Sequence, residues 1–473
     1  MVDGRALTAQ FEDAADFETR KVLCGGQLLT VLFLDGLTSG GDIAEQVVRP
    51  LAQMTDEARE EVLYTRALQG GVWCASVKEP ESTQHAAELL VNGFCVILFP
   101  KSGKALGCEV KTGEKRSPSP PETENTVKGA KDAFTETLRT NTSLVRRHLR
   151  TPGLRLTETV IGKRTLTKVT VCWIDRLTDP ELPRRMQERL SSIDIDGALS
   201  PAAIEEYVTG SRRTAFPLLE YTERTDHFCQ GLLDGQVGLL TDGLPLGYLA
   251  PVGLGRLMRS PEDRATDFFS ASMLRLLRYA ALGVSLLLPA LYAAMAMFHQ
   301  QMLPTKLLLS IIESKQNVPF STLLEVLGLL CAFELLQQAG LHLPQAVGTA
   351  VSIIGGLVVG TAAVDAKLVS PAALIVTASS GICGFTLPNR ELSDAVRLWR
   401  FVLTVLAGLW GLFGVTVGLL LLLTELAGLE SLGRSYLSPF GRAEVKGALV
   451  RPRLVRQKWR DGALKPMDDQ NQR

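Results

Sequence analysis

Positions 279–389 hold only seven charged residues in 111 places, leaving 93 of the chain's 50 basic and 50 acidic residues for the rest. In and just beyond this block lie four stretches with no charge at all, 279–305, 335–364, 368–389 and 401–424. Each reaches the roughly 20 residues with which an α-helix crosses a hydrocarbon core about 30 Å thick. Buried core helices of a soluble domain would leave amphipathic neighbours to face water, and this block has none. The pattern therefore predicts a polytopic membrane protein with four spans. Two further readings stay open: 320–341 is a fifth apolar segment interrupted by Glu325 and Glu334, and 395–429 is long enough for a broken hairpin.

Charge placement predicts orientation. The first 20 residues are acidic and lack an apolar run, so no signal peptide is expected and the amino-terminal region is placed in the cytoplasm. Arg256, Arg259, Arg264, Arg275 and Arg278 crowd the entrance to the first span, as the positive-inside tendency expects. The tail carries ten Lys or Arg against four acids and is placed on the same side, which requires an even number of crossings. The expected fold class is an α/β cytoplasmic region of two subdomains followed by an all-α polytopic transmembrane bundle. Its expected divisions are subdomains at 1–110 and 130–255, a linker at 111–129, a transmembrane helical domain of four to six helices at 256–430, and a basic cytoplasmic tail at 431–473.

Short apolar runs support the α/β reading. Strands are expected at 27–34 (QLLTVLFL) and 94–99 (FCVILF), with a helix over 82–91 between them. The segment 111–128 has three prolines and no aromatic residue, the composition of a linker. A helix over 130–149 should bury Phe134, Leu138, Leu144 and Val145 and leave Arg146, Arg147 and Arg150 wet. Strands at 154–161 and 166–174 around Gly162 read as a hairpin, as does 236–249 around Asp242-Gly243, and helices are expected at 180–190 and 201–208, the latter capped by Ser200. The eight cysteines form no C-x-x-C pair, the five histidines are isolated, and metalloprotease, hydrolase, P-loop and dinucleotide motifs are absent from the sequence. No catalytic residue, metal site or cofactor is assigned, and no nucleic-acid partner is expected.

In the apolar block, an acid facing lipid costs a few kcal/mol, so Glu325, Glu334 and Asp365 are candidates for an ion path. The alternative places the two glutamates at a membrane surface and Asp365 in a loop beside Lys367. Pro289 and Pro304 are candidate kinks or gating points. Gly355, Gly356 and Gly360, and then Gly411, Gly414 and Gly418 together with Gly408, recur at spacings that let helices approach closely, and are read as packing positions.

An ordered series of residues carries a family resemblance. It includes Lys128-Gly129-Ala130, Asn141, Arg146-Arg147, Ile161-Gly162, Phe216-Pro217, Thr222-Glu223-Arg224 with Asp226, and Thr241-Asp242-Gly243-Leu244-Pro245. Arg275 to Arg278, Phe298-His299, Pro304, Pro319-Phe320, Glu325, Glu334, Ala339-Gly340 and Pro344 continue it, and Ser431, Gly433, Tyr436 and Pro439 close it. From about 127 to 440 the chain resembles the A-subunit class of the GerA family of spore germination proteins. Gln301, Gln337-Gln338 and Gln236 depart from the family pattern, each removing charge. The resemblance implies a nutrient germinant receptor subunit in the spore inner membrane. It would form a homo-oligomer around a ligand-gated cation path and act with a transporter-like B subunit and a lipoprotein C subunit in the lipid bilayer. Alternatives are a non-conducting scaffold that clusters receptors, or a small-solute transporter, against which the absence of a repeat between the halves of the block counts.

Overall fold

The computed structural model describes residues 2–54, 59–111, 121, 124, 126, 128–210, 213–342, 360–438 and 445–453, with 455, 457, 459, 460, 462–468, 470 and 471 of the tail. The first unit is a five-stranded antiparallel sheet in the order β1-β2-β4-β5-β3, made by β1 (Phe17–Cys24), β2 (Gln27–Leu34), β3 (Val77–Lys78), β4 (Phe94–Phe99) and β5 (Lys104–Glu109). The β4 sequence FCVILF is buried at every position because the sheet is covered on both faces. Successive side chains on a strand point to opposite sides, so Cys95, Ile97 and Phe99 enter one apolar cluster while Phe94, Val96 and Leu98 enter the other. Helix α1 (Thr83–Val91), capped by the Ser82 hydroxyl, packs Ala86, Ala87 and Leu90 into that second cluster.

After α2 (Leu138–His148), the second unit repeats the plan. Its strands are β6 (Leu154–Ile161), β7 (Thr167–Ile174), β8 (Glu220–Thr222), β9 (Val237–Thr241) and β10 (Gly247–Ala250). They run β6-β7-β9-β10-β8, again all antiparallel. Helices α3 (Glu181–Ser191) and α4 (Pro201–Thr209) lie between β7 and β8, and α5 (Thr225–Leu233) lies between β8 and β9. Both units thus run strand, strand, helices, strand, helix, strand, strand, with one strand order.

Several expectations need correction. Helix α2 begins at Leu138 rather than 130, and Arg146 is buried rather than wet. Its guanidinium forms a bidentate pair with Asp16, 2.8 and 2.7 Å, and donates to the Leu154 carbonyl, so it clamps the first unit to the second. Ser200 occupies the N-cap position of α4 without a side-chain capping bond. The segment before α2 is more than a spacer: Glu124 accepts from Thr222 and the Glu223 amide, and Arg224 donates to Thr126 at 2.7 Å and to the Ala130 carbonyl at 3.0 Å.

The helical half contains α6 (Phe268–Met297), α7 (Thr305–Lys315), α8 (Thr322–His342), α9 (Pro371–Phe385) and α10 (Arg390–Gly428). Among the described residues three helices are long and apolar enough to cross a membrane: α6, the 322–340 part of α8, and α10. This differs from the four charge-free stretches. The second stretch, 335–364, falls mostly outside the described residues, α9 has only 15 residues, and the acid-bearing fifth segment forms α8.

Helix α10 is not one rod. Thirty-nine residues at 1.5 Å each would span roughly 58 Å, far more than a bilayer core. At Gly411 the backbone leaves helical geometry, with φ 60° and ψ −139°. A Cβ on Gly414 would lie 1.9 Å from the Leu406 carbonyl oxygen, and one on Gly418 would lie 2.4 Å from Leu403. Leu392, Ala395 and Val396 share an apolar cluster with Leu422, Leu426 and Leu429. Such pairs meet only if the chain reverses at Gly411, giving antiparallel arms over 390–410 and 412–428 of roughly 31 and 25 Å. The broken-hairpin reading of 395–429 describes this arrangement.

Both ends of the hairpin return to the second unit. Phe216, Leu218, Val252 and Met258 join the cluster at its base, and the Ser431 hydroxyl donates to the Leu218 carbonyl while accepting from the Val252 amide. At the other end, the Gly411 turn lies against Phe298 and His299, which follow α6.

Candidate functional site: a charged seam in the helical bundle

Four of the bundle's charged residues, Glu334, Asp394, Arg397 and Arg400, gather along one seam. Arg397 on the first arm of α10 donates from Nη1 to Glu334 of α8 at 2.9 Å and to Gln337 at 2.5 Å, and also pairs with Asp394. One turn further on, Arg400 is fully buried. Its Nη1 donates to the Ser380 hydroxyl of α9 at 3.2 Å, and that hydroxyl donates to the Ser285 carbonyl of α6 at 2.7 Å.

The Ser285 carbonyl is available because of Pro289. A proline inside a helix has no N–H for the carbonyl four residues earlier, and here that carbonyl is filled by α9 instead of its own helix. Helix α6 continues through Pro289, so this residue acts as a fastening point for Ser380 and, through it, for a buried cation. An arginine at the centre of a membrane helix costs about 2.5–3.5 kcal/mol on insertion scales, which makes such a polar partner consequential. Sequence reasoning missed both arginines, because 390–400 reads as a charged loop; the only signal was a run of apolar residues immediately after Arg400.

Glu325 sits nearer the Gly411 end, on a part of α8 whose Leu323 side chain abuts Gly408. It is buried, with Oε1 3.3 Å from Lys315 Nζ and Oε2 accepting from the Ser370 amide at 3.0 Å. Ser370 is the N-cap of α9, where helix backbone amides favour a negative charge. Lys315 also donates to Thr322. Asp365 ends a short helix, Gly360–Asp365, and is exposed near Lys367, so it does not join the seam. Pro304 is exposed at the N-cap of α7. Gly360 is buried, with Leu374 3.7 Å from where a Cβ would stand. Gly355 and Gly356 lie outside the described residues.

The arginines at the foot of α6 are engaged within the protein. Arg275 and Arg278 hold the two oxygens of Asp263 at 3.1 and 2.8 Å. Arg256 bridges Glu220 and Asp234, both at 2.8 Å, and His227 meets the other Glu220 oxygen at 2.9 Å. Burial pushes the Glu220 carboxyl up, but Arg256 and His227 outweigh it and hold it at about 2. This foot is therefore a neutralised structural network.

One trio resembles a nucleophile relay. His148 Nε2 lies 2.7 Å from Asp132 and 3.2 Å from the Thr225 hydroxyl. A relay needs the acid and the hydroxyl on opposite ring nitrogens, whereas here one nitrogen serves both and Thr225 is fully buried. His148 draws the Asp132 carboxyl down to about 2, and Asp132 in turn raises His148. The trio fixes α5 to the end of α2.

Comparison with known proteins gives a consistent result. The family model described as Bacillus/Clostridium GerA spore germination protein matches residues 5–466. The chain is 36% identical over 450 residues to an uncharacterized membrane protein, YfkQ, of Bacillus subtilis (strain 168), covering 94% of this chain and 87% of that one. It is 34% identical over 448 residues to spore germination protein KA of the same organism, covering 93% and 81%, and 30% identical over 429 residues to spore germination protein A1, covering 91% and 88%. The crystal structure of the N-terminal domain of the A subunit of the Bacillus megaterium spore germinant receptor GerK3 aligns with a TM-score of 0.41 at 22% identity, over 52% of this chain and 92% of that one.

Proposed function

Because the chain belongs to the Bacillus/Clostridium GerA spore germination protein family, we propose that it is the A-type subunit of a nutrient germinant receptor. In this reading it lies in the spore inner membrane with its α/β units and tail in the cytoplasm. It assembles with further copies of itself, a transporter-like B subunit and a lipoprotein C subunit, and contributes to a cation path that opens when nutrient binds. The observation that carries the reading is the charged seam in the bundle, which is fastened through Ser431 and the base cluster to the second α/β unit.

Deleting the gene in its native spore former, then measuring nutrient-triggered release of monovalent cations, tests the role. Loss of the response to at least one nutrient, restored by complementation, is expected. An unchanged response across a full nutrient panel refutes it.

One observation favours a second reading, the non-conducting scaffold: Glu325 and Glu334 already have cationic partners in Lys315 and Arg397 within the chain. Cation flux through the reconstituted protein distinguishes the two. Flux lowered by E325Q or E334Q supports the path, whereas no flux in the unmodified protein supports the scaffold.

A further inference from the structure

The seam pairs its charges unevenly. Arg397 holds two carboxylates, Glu334 and Asp394, and the Gln337 amide oxygen as well. Arg400, one helical turn away on the same arm and more deeply buried, holds only the Ser380 hydroxyl among the described residues. Arg400 Nε and Nη2, Arg397 Nε and the second Glu334 oxygen are all buried without a hydrogen-bond partner among the described residues. Two guanidiniums and two carboxylates balance in sum, yet the arrangement gives both acids to one base. The deeper cation bears the cost, since a buried charge needs an opposite charge and filled hydrogen bonds.

The helix that bears Glu334 is also the one least embedded. Only 17% of the span in α8 is buried within the protein, against 39% for α6 and α10. Among the described residues its polar ties to the bundle are few: Glu334 and Gln337 to Arg397, and, near the Gly411 end, Glu325 to Lys315 and the Ser370 amide and Thr322 to Lys315. Helix α8 runs antiparallel to the first arm of α10: Leu323 lies by Gly408 and Glu334 by Arg397. Arg397 and Arg400 are three residues apart, about 4.5 Å of helix rise.

We propose that α8 and the first arm of α10 form a two-position latch. In the position described here Glu334 is held by Arg397; in the second position α8 has moved about one turn toward the Gly411 end, and Glu334 is held by Arg400. The second position leaves Asp394 and Gln337 to Arg397, so each arginine has one carboxylate. Helices in packed bundles shift between discrete registers of this size, and a shared carboxylate between two bases on one helix face supplies two such registers. The latch is independent of what, if anything, the bundle conducts.

The test is a distance measurement on the full-length chain in lipid bilayers, with native cysteines replaced and spin labels at Leu335 on α8 and Met302 beyond α6, both exposed. R397Q removes the first holder and is expected to shorten the label distance by about 4 Å relative to R400Q, which removes the second. E334Q, lacking the shared acid, should erase the difference when combined with either variant. Coincident distances in R397Q and R400Q overturn the proposal, and so does a difference that survives E334Q. If R400Q does not accumulate in the membrane, R397Q against the unmodified chain gives the same reading, and an unchanged distance there overturns the latch.

Discussion

The reversal at Gly411 can be tested by adding one methyl group. A backbone at φ 60°, ψ −139° lies where side chains other than hydrogen are strained, at a cost on the order of 1–3 kcal/mol. In Gly411→Ala the new Cβ would also stand 2.8 Å from His299 Cε1 and 3.0 Å from Phe298 Cβ, so the end of α6 must yield as well. The imidazole can swing aside; the Phe298 Cβ is fixed to backbone. Taking the backbone term alone, the closed hairpin should lose roughly 5- to 150-fold in population relative to open forms. The assay is disulfide formation between cysteines at Ala407 and Val415, which share a buried cluster across the two arms. In a continuous helix these residues would be separated by about 12 Å, beyond the roughly 7 Å that a disulfide tolerates between Cα atoms. The double-cysteine chain should therefore cross-link readily in membranes, and Gly411→Ala should slow the reaction. Failure of the unmodified pair to cross-link, or an undiminished rate in Gly411→Ala, would refute the hairpin argument.

Two further outcomes follow from particular contacts. Ser380→Ala should lower thermal stability by about 1–3 kcal/mol by stranding Arg400 and the Ser285 carbonyl. Pro289→Ala restores an amide to that carbonyl and should recover part of the loss, a coupling that a double-mutant melting cycle reads and that simple additivity would refute. The Asp132–His148 pair should give a pH-dependent increment of at most about 1 kcal/mol, since both side chains are partly exposed. With His148 raised, its part is full below the unfolded histidine pKa of about 6.5 and fades as pH climbs through the folded value. With Asp132 held near 2, its part is full above the unfolded pKa of about 4 and is lost as pH falls toward 2. The melting difference between the unmodified chain and His148→Gln should accordingly be larger at pH 5.5 than at pH 8.5; equal differences would refute it.

Much of the α/β half was legible because buried strands advertise themselves. The runs QLLTVLFL and FCVILF became β2 and β4, and the Gly162 and Asp242-Gly243 signals marked the β6–β7 and β9–β10 hairpins. The strand FETRKVLC was not legible: β1 sits at the sheet edge, where Glu18, Arg20 and Lys21 remain solvated and dilute the apolar pattern. Arg146 reads as wet from its helix face, because its partner Asp16 lies 130 positions earlier in the chain. The seam was half legible. Intramembrane acids stand out by their cost, so the sequence singles out Glu325 and Glu334 as polar positions. Arg397 and Arg400 hid at the margin of an apolar stretch, and the use that Ser380 makes of the carbonyl freed by Pro289 depends on three helices meeting, which no local pattern encodes.

The buried pair between Asp16 and Arg146 joins the two α/β units. It locks two copies of one scaffold together, so separating the two units would strand a buried charge on each side. Among the described residues the second unit meets the bundle through Ser431 and the cluster at its base, so the first unit is tied to the bundle by way of the second.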